Sequence, residues 1–232
     1  MDTEIHIQAI AFDLDGTLVD SAPDINLAIN AALRAEGLRS FDLATVRSWI
    51  GDGPDPLIER ALAAQGLDGR EDSALHGRLR RGFDQATLAA PLADGTVFPG
   101  IMDLIVGLHR WLPMVVVTNK PTTLARAVLD AAGILPFVSG VFGADSAAWR
   151  KPSAHLLLAA ARSLSLAPEH MLMVGDGPAD LLAAEAADCP SALVAWGYGA
   201  DAVPPHLRPR RIDSPLALLS HLQRGREHTL HH

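Results

Sequence analysis

Two carboxylates follow a short apolar segment near the start of the chain. Residues 7–12 end abruptly at Asp13, and Asp15 follows in a loop that contains Gly16. Two carboxylates this close together suit phosphoryl transfer, because one can attack phosphorus while the other protonates the leaving oxygen and later activates water. They would repel a phosphate unless a cation neutralised them, and Mg²⁺ held by carboxylate oxygens, backbone carbonyls and water does this. The pair therefore predicts a magnesium-dependent phosphoryl-transfer site.

Further polar groups stand where other apolar segments end. Thr118 offers a hydroxyl, and with Asn119 the backbone amides that follow it, to phosphoryl oxygens. Lys151 offers a compact positive charge where negative charge concentrates in the transition state, and Asp176 offers another oxygen ligand for Mg²⁺. Lys151 is also unusual in kind, because the chain has only one other lysine, Lys120, among its 19 lysines and arginines. These residue types favour the same chemistry as the first carboxylate pair.

The elements that must position these groups alternate along the chain. Four short apolar segments have the character of buried strands: residues 7–12, 113–117, 138–142 and 171–174. Helical patterns separate them, for example residues 124–131, which Gly133 closes as a predicted C-terminal cap. This alternation predicts an α/β fold with a doubly wound parallel sheet. Because parallel strands end at one edge of a sheet, we expect the polar groups to meet in one crevice.

One stretch, residues 20–95, breaks the alternation. It contains no convincing strand, and its first helical stripe has apolar residues at i, i+3, i+4, i+7 and i+8, namely Ile25, Ala28, Ile29, Ala32 and Leu33. Further helical windows follow at about 42–49, 55–65 and 71–90. We predict a phosphotransfer core of residues 1–19 and 96–232, with residues 20–95 inserted after the first strand as a helical lid over the site.

The charge and composition of the chain limit its partners. A formal net charge of −8 opposes binding to nucleic acid or to an acidic membrane surface. No apolar run approaches the roughly 20 residues that a membrane helix needs. The acidic start, Met1–Glu4, lacks the basic residues of a secretory signal, and Cys189 is the only cysteine. We expect a cytoplasmic protein, monomeric or homodimeric, that acts on a small phosphorylated metabolite.

The ordered motifs resemble those of the haloacid-dehalogenase-like hydrolase superfamily. They read DLDGTLVDS at 13–21, VTNKP at 117–121, RKP at 150–152, and VGD at 174–176 with Asp180 following. The resemblance covers residue 7 to about residue 200. It implies a Rossmann-like core with a helical cap, a Mg²⁺ cofactor and an aspartyl-phosphate intermediate.

The resemblance also implies a role for each motif residue. Asp13 would be the nucleophile and a metal ligand, and Asp15 the general acid and base with its backbone carbonyl on the metal. Thr118 and Lys151 would bind the phosphoryl group, and Asp176 would ligate Mg²⁺. Asp180 has two readings: it would support the metal or the lysine from behind, or it would be a first-turn acid that favours the dipole of the helix opening there.

A second motif lies inside the lid and bears on the substrate. SWIGDG at 48–53, followed by ERAL at 59–62, is similar to the phosphoglycolate phosphatases of that superfamily. Gly51, Asp52 and Gly53 can turn backbone N–H groups toward a carboxylate just before a helix, although such a run is also common in simple turns. Arg60, or less favourably Arg47, would add a positive charge. We therefore expect 2-phosphoglycolate or a similarly small substrate.

Several other functions stay open at this stage. The lid has few aromatic residues, Phe41, Trp49 and Phe83, which disfavours a nucleotide without excluding it. A sugar phosphate, pyrophosphate or a nucleotide remains an alternative substrate, and a phosphomutase remains an alternative reaction. A phospho-receiver signalling module is disfavoured because it is shorter and has no such lid. Phosphonate hydrolysis is excluded, since that chemistry uses a lysine in the lid and residues 20–95 contain none.

Overall fold

The computed structural model describes residues 7–68, 72–207 and 209–229. The strands are β1 Ala9–Phe12, β2 Val19–Asp20, β3 Thr96–Val97, β4 Met114–Thr118, β5 Gly140–Gly143, β6 Met171–Gly175, β7 Ser191–Val194 and β8 Arg210–Ile212. The α-helices are α1 Ala22–Ala35, α2 Leu43–Arg47, α3 Pro54–Ala63, α4 Ser73–Ala89, α5 Ile101–His109, α6 Thr122–Ala131, α7 His155–Ser163, α8 Pro178–Ala186 and α9 Pro215–Thr229. Met1–Glu4, which supported the expectation of a cytoplasmic protein, lie outside the described residues.

The core is a six-stranded parallel sheet in the order β5-β4-β1-β6-β7-β8. Alternate residues of β1 point to opposite faces, so that Ile10 and Phe12 join the hydrophobic cluster of α5, α6 and α9. Ala9 and Ala11 join the cluster on the other face, with α7 and α8. The predicted doubly wound α/β fold is confirmed. Because the strand order reverses at β1, its carboxyl end opens into the crevice where such sheets bind ligands.

Helices α1 to α4 lie between β2 and β3 and have a hydrophobic cluster largely of their own. Its fully buried side chains include Ile29 and Leu33 of α1, Ile58 of α3 and Leu79 of α4. The chain leaves and re-enters the core through a small antiparallel pairing of β2 with β3. The helices follow the predicted windows, while the exact domain boundaries at residues 19–20 and 95–96 stay a prediction.

A buried carboxylate fastens the two connecting segments of the lid to each other. Asp24, in the first turn of α1, accepts hydrogen bonds from the backbone N–H groups of Ala93, Asp94 and Gly95 at 2.8–2.9 Å. A carboxylate that accepts several N–H groups is well compensated for its burial. The start of the lid is therefore tied to its end, close to where both join the core.

None of the helices in the described ranges combines the length and the apolar character that crossing a membrane requires.

Candidate active site

The predicted site residues meet at the carboxyl edge of the central strands. Asp13 follows β1, Thr118 is the last residue of β4, and Asp176 follows β6. Lys151 lies in the segment between β5 and α7. Strands β4 and β6 are the two neighbours of β1, so residues more than 100 positions apart come together in one crevice.

Lys151 is held by three acceptors at the bottom of this crevice. Its Nζ lies 2.8 Å from Oδ1 of Asp13, 2.5 Å from Oδ1 of Asp180 and 3.0 Å from the carbonyl oxygen of Val117. Burial alone would lower the pKa of Lys151, but the carboxylates of Asp13 and Asp180 reverse this and hold that pKa above its usual value. An ammonium with three N–H groups and three such acceptors is a fixed positive charge beside Asp13.

A cluster of buried carboxylates faces the same point. Asp13, Asp176 and Asp180 each present an oxygen within 4.8 Å of the others. Burial, with the charges of Asp180 and Asp176, raises the pKa of Asp13 to about 8. Burial and Asp180 raise the pKa of Asp176 to about 6, although the backbone N–H groups of Tyr198 and Gly199 oppose this rise. So much negative charge in a buried place is costly unless a cation joins it.

The donor set fits a hard divalent cation such as Mg²⁺. All the clustered side-chain donors are carboxylate oxygens, which Mg²⁺ prefers. The backbone of the loop that follows Asp13 also comes very close to Asp176, because a Cβ added at Gly16 would lie 2.5 Å from Oδ2 of Asp176. Gly16 adopts φ +85°, where only glycine sits without strain. The loop that carries Asp15 is thus closely packed against Asp176.

Asp180 combines the two roles that the sequence offered for it. Its Oδ1 accepts from Lys151, and its Oδ2 accepts at 3.1 Å from the N–H of Gly177, at the start of α8. It therefore caps a helix and fixes the buried lysine at once. It also belongs to the carboxylate cluster itself, whereas the sequence placed it behind the metal ligands.

Asp15 has a partner that the sequence reasoning missed. Lys120 Nζ contacts both its carboxylate oxygens, at 2.6 and 2.8 Å, and the hydroxyl of Ser21 donates to Oδ1 at 2.5 Å. The Lys120 side chain is only 5% exposed. The scarcity of lysine in the sequence points to both Lys120 and Lys151. From the sequence alone, we predict a role only for Lys151.

Asn119 connects three parts of the site through its side chain. Its Nδ2 donates to the carbonyls of Gly51 at 2.9 Å and Lys151 at 3.1 Å, and its Oδ1 accepts from the N–H of Lys151 at 2.7 Å. These contacts occupy both amide hydrogens. The geometry therefore leaves the predicted substrate contact of Asn119 to its backbone, while the hydroxyl oxygen of Thr118 accepts from the N–H of Lys120 at 3.2 Å.

The glycine loop of the lid, residues 51–53, presses on the core at this same asparagine. A Cβ added at Gly53 would lie 2.7 Å from the carbonyl oxygen of Asn119. Between the lid and the core lies an active-site cavity of about 30 Å³. Its walls are Asp13, Asp15, Ile25, Ile50, Gly51, Gly53, Pro54, Leu57, Phe83, Thr118, Asn119 and Lys120. Apart from the glycine loop, the lid side of this cavity is apolar.

Arg60 and Asp52 do not border this cavity. Arg60 donates from Nη1 to the carbonyl of Trp49 at 2.7 Å, and its Nη2 pairs with the carboxylate of Asp52. Both side chains are more than a third exposed. This arrangement shapes the glycine loop from behind, so the geometry does not favour the substrate contact predicted for Arg60, which stays a prediction.

Tyr198, the only tyrosine in the chain, links the carboxylate cluster to the base of the lid. Its backbone N–H donates to Oδ2 of Asp176 at 2.6 Å. Its hydroxyl donates to Oδ1 of Asp20 at 2.5 Å and accepts from the N–H of Ala22 at 3.1 Å. Burial and the bond to Asp20 raise the pKa of Tyr198. The guanidinium of Arg47, which the sequence offered as the less favoured substrate contact, lies over the Tyr198 ring at 4.6 Å.

The fold and the site together define a class of protein. A family model described as haloacid dehalogenase-like hydrolase matches residues 7–188, which include Asp13, Thr118, Lys151, Asp176 and Asp180. The chain therefore belongs to the haloacid dehalogenase-like hydrolase family, and the expectation drawn from its motifs is confirmed. It is an enzyme, a hydrolase.

Its relatives narrow the class. The chain is 39% identical over 200 residues to a phosphoglycolate phosphatase of Rhodospirillum rubrum, which covers 84% of this chain and 83% of the relative. It is 37% identical over 209 residues to the phosphoglycolate phosphatase of Escherichia coli, which covers 83% and 82%. A solved structure described as a predicted phosphoglycolate phosphatase, from Haemophilus somnus, superposes with a TM-score of 0.82 at 28% identity over 92% of this chain and 97% of that one. The chain is thus a hydrolase that resembles phosphoglycolate phosphatases.

Proposed function

We propose that the protein is a magnesium-dependent phosphomonoester hydrolase that transfers the phosphoryl group through Asp13 to water, with 2-phosphoglycolate as its preferred substrate. The observation that carries the proposal is the setting of Asp13. This carboxylate ends the central strand and is fixed 2.8 Å from the Lys151 ammonium, among clustered carboxylates. The relatives named as phosphoglycolate phosphatases support the choice of substrate.

The reaction has two steps at phosphorus. A carboxylate oxygen of Asp13 forms a bond to phosphorus while the bond to the leaving oxygen breaks, and Asp15 gives that oxygen its proton. Asp15 then takes a proton from water as the water attacks the phosphorus of the aspartyl-phosphate, which releases Asp13 and inorganic phosphate. Thr118 and Lys151 stabilise the charge on the phosphoryl oxygens in both steps.

Mg²⁺ is the cation that this site would hold. Asp13, Asp176 and the backbone carbonyl of Asp15 are its proposed ligands, with Asp180 fixing Lys151 beside them. When bound, the ion supplies positive charge that neutralises carboxylate and phosphate and orients a phosphoryl oxygen. The buried carboxylates support this assignment, because two lysines cannot neutralise four of them.

The active-site cavity supports a small leaving group. The lid contributes the apolar side chains of Ile25, Ile50, Leu57 and Phe83, which offer no hydrogen bonds to the hydroxyl groups of a sugar. A two-carbon acid suits such walls better than a sugar phosphate or a nucleotide.

Two measurements test the proposal. The first compares kcat/KM for 2-phosphoglycolate, a sugar phosphate, a nucleotide and pyrophosphate, with Mg²⁺ and after treatment with a chelator. We expect phosphoglycolate to rank first and the chelator to abolish turnover. Activity that survives chelation would contradict the metal assignment. A higher kcat/KM for any of the other compounds would contradict the assignment of 2-phosphoglycolate as the preferred substrate.

The second measurement concerns the covalent step. Acid quenching during turnover of a substrate with a labelled phosphoryl group should leave the label on the protein, and peptide mapping should place it on Asp13. Asp13→Asn should show neither label nor turnover, because an amide has nearly the same shape but does not attack phosphorus. Wild-type turnover in that variant, with its fold shown intact by thermal unfolding, would refute the mechanism.

A further inference from the structure

The positively charged side chain in the wall of the active-site cavity comes from the core, not from the lid. In the part of the chain that the structure describes, Lys120 is the only lysine or arginine in the wall of this cavity. We propose that Lys120 is the specificity-determining residue of the site: its ammonium binds an anionic substituent of the leaving group, such as the carboxylate of phosphoglycolate, while it also holds Asp15. This inference rests on the proposed function and names the residue that recognises the substrate.

The hydrogen-bonding capacity of Lys120 leaves room for such a ligand. An ammonium has three N–H groups. Within the described residues, the side-chain bonds of Lys120 Nζ are the two to the oxygens of Asp15. Lys151, by comparison, has three acceptors within the protein. Of the two lysines, Lys120 is therefore the one with an N–H group available to the cavity, and a buried donor gains most from an anionic acceptor.

The arginines near the cavity are placed less well for this task. Arg60 is bound to Trp49 and Asp52 behind the glycine loop. Arg150 donates from Nη1 to the carbonyl of Asp52 at 3.4 Å. It borders a separate cavity of about 170 Å³. The opposite wall of the active-site cavity is apolar, so an anionic group there has the ammonium as its natural partner.

The position of Lys120 also joins recognition to catalysis. Asp15 is the proposed acid and base at the leaving oxygen, and Lys120 contacts both its carboxylate oxygens. An anionic group two bonds from the leaving oxygen would lie close to the same ammonium. A leaving group that engages Lys120 would thereby be aligned with Asp15, so the gain should appear in kcat and not only as a lower KM.

The kinetic test compares two substrates that differ at one group. These are 2-phosphoglycolate and 2-hydroxyethyl phosphate, in which an uncharged CH₂OH replaces the carboxylate. Lys120→Met should lower kcat/KM for both, because Asp15 loses its partner, but about 10- to 100-fold more for phosphoglycolate, the range expected for one lost charge-assisted hydrogen bond. Lys120→Arg should restore part of the difference.

Controls separate this inference from a purely structural role. Arg60→Met and Arg150→Met should change kcat/KM for the two substrates by the same factor. An equal loss for both substrates in Lys120→Met, or a selective loss of phosphoglycolate in either arginine variant, would overturn the assignment. Equal efficiency of the wild type on the two substrates would also overturn it, while the phosphatase chemistry would stand.

An NMR measurement on the lysine side chains tests the same inference without relying on turnover or on whether Lys120→Met folds. Because the chain has only Lys120 and Lys151, labelling lysine with ¹⁵N gives just two side-chain ammonium signals. In the Asp13→Asn variant with Mg²⁺, both compounds should shift the signal of Lys151, but only phosphoglycolate should strongly shift that of Lys120. Similar shifts of the Lys120 signal with both compounds would refute the inference, even if the wild type hydrolysed neither.

Discussion

The contact between the lid and the core can be tested with Gly53→Ala, which adds a single carbon atom, the Cβ, at that contact. Gly53 has φ +89° and ψ 177°, a backbone conformation that is essentially restricted to glycine. An added Cβ would lie 2.7 Å from the carbonyl oxygen of Asn119, where ordinary contact begins at 3.4 Å. The methyl group therefore combines backbone strain with a collision between the glycine loop and the core.

The two effects have different magnitudes and different readouts. The strain should lower the free energy of unfolding by about 1–3 kcal/mol. The collision requires the glycine loop to retreat by roughly 0.7 Å from Asn119, and a displacement near 1 Å at a positioned site costs on the order of 10²-fold in rate. We therefore expect kcat/KM for phosphoglycolate to fall about 10- to 100-fold in Gly53→Ala.

A second lid glycine provides the control. Gly66 also has a positive φ, +75°, but an added Cβ there would meet nothing within 4 Å. Gly66→Ala should therefore lose stability in chemical unfolding while its kcat/KM stays within about twofold of the wild type. If Gly53→Ala were as active as Gly66→Ala, the packing of the glycine loop on Asn119 would not be part of the working enzyme.

Three further predictions concern the buried groups. Because burial raises the pKa of Asp13 to about 8, the folded metal-free protein keeps a proton that the unfolded chain releases, and its free energy of unfolding should fall as the pH rises from about 4 to about 8. Thermal unfolding in a chelator should show this fall, and added Mg²⁺ or Asp13→Asn should largely remove it. If the pH dependence of stability were unchanged in Asp13→Asn, a group other than Asp13 would be its cause. Asp180→Asn removes a charged partner of Lys151 and should lower stability by about 1.5–3 kcal/mol together with kcat/KM, so a loss of stability alone would refute its part in positioning that lysine. Tyr198→Phe removes the bond to Asp20 and should cost about 1–3 kcal/mol in urea unfolding with kcat/KM within threefold, because the backbone bond to the carboxylate cluster remains; a large loss of activity would show that the hydroxyl itself matters.

The sheet was predictable where apolar segments end in polar residues, and less so elsewhere. Strands β1, β4 and β6 are fully buried and read as short apolar runs, which is what a parallel sheet covered on both faces requires. The edge strand β8, Arg210–Ile212, has two exposed arginines and gives no such pattern. A strand that is paired on one side and exposed on the other carries too little hydrophobic signal to be recognised in sequence.

The site was predictable as a set of residues but not as a set of contacts. Asp13 and Asp176 follow strands directly and Asp15 lies two residues after Asp13, so strand order alone brings them together. The partners of Lys120 and Tyr198 depend on side-chain directions across 105 and 178 residues of sequence. No local periodicity encodes such distant pairs, because they follow from how the loops at the carboxyl edge of the sheet pack on one another.

The distribution of lysine gives a physical reason for the proposed metal requirement. Both lysines of the chain are buried, and each contacts a carboxylate of the site. Four carboxylates, those of Asp13, Asp15, Asp176 and Asp180, face these two ammonium groups, which leaves two negative charges in a buried place before any phosphate arrives. A dianionic phosphate would double that excess. One divalent cation balances the free site, and a proton taken up by Asp13 would be a partial substitute that also disables the nucleophile. The same buried charges therefore explain why we expect the metal-free protein to be inactive and to have a pH-dependent stability.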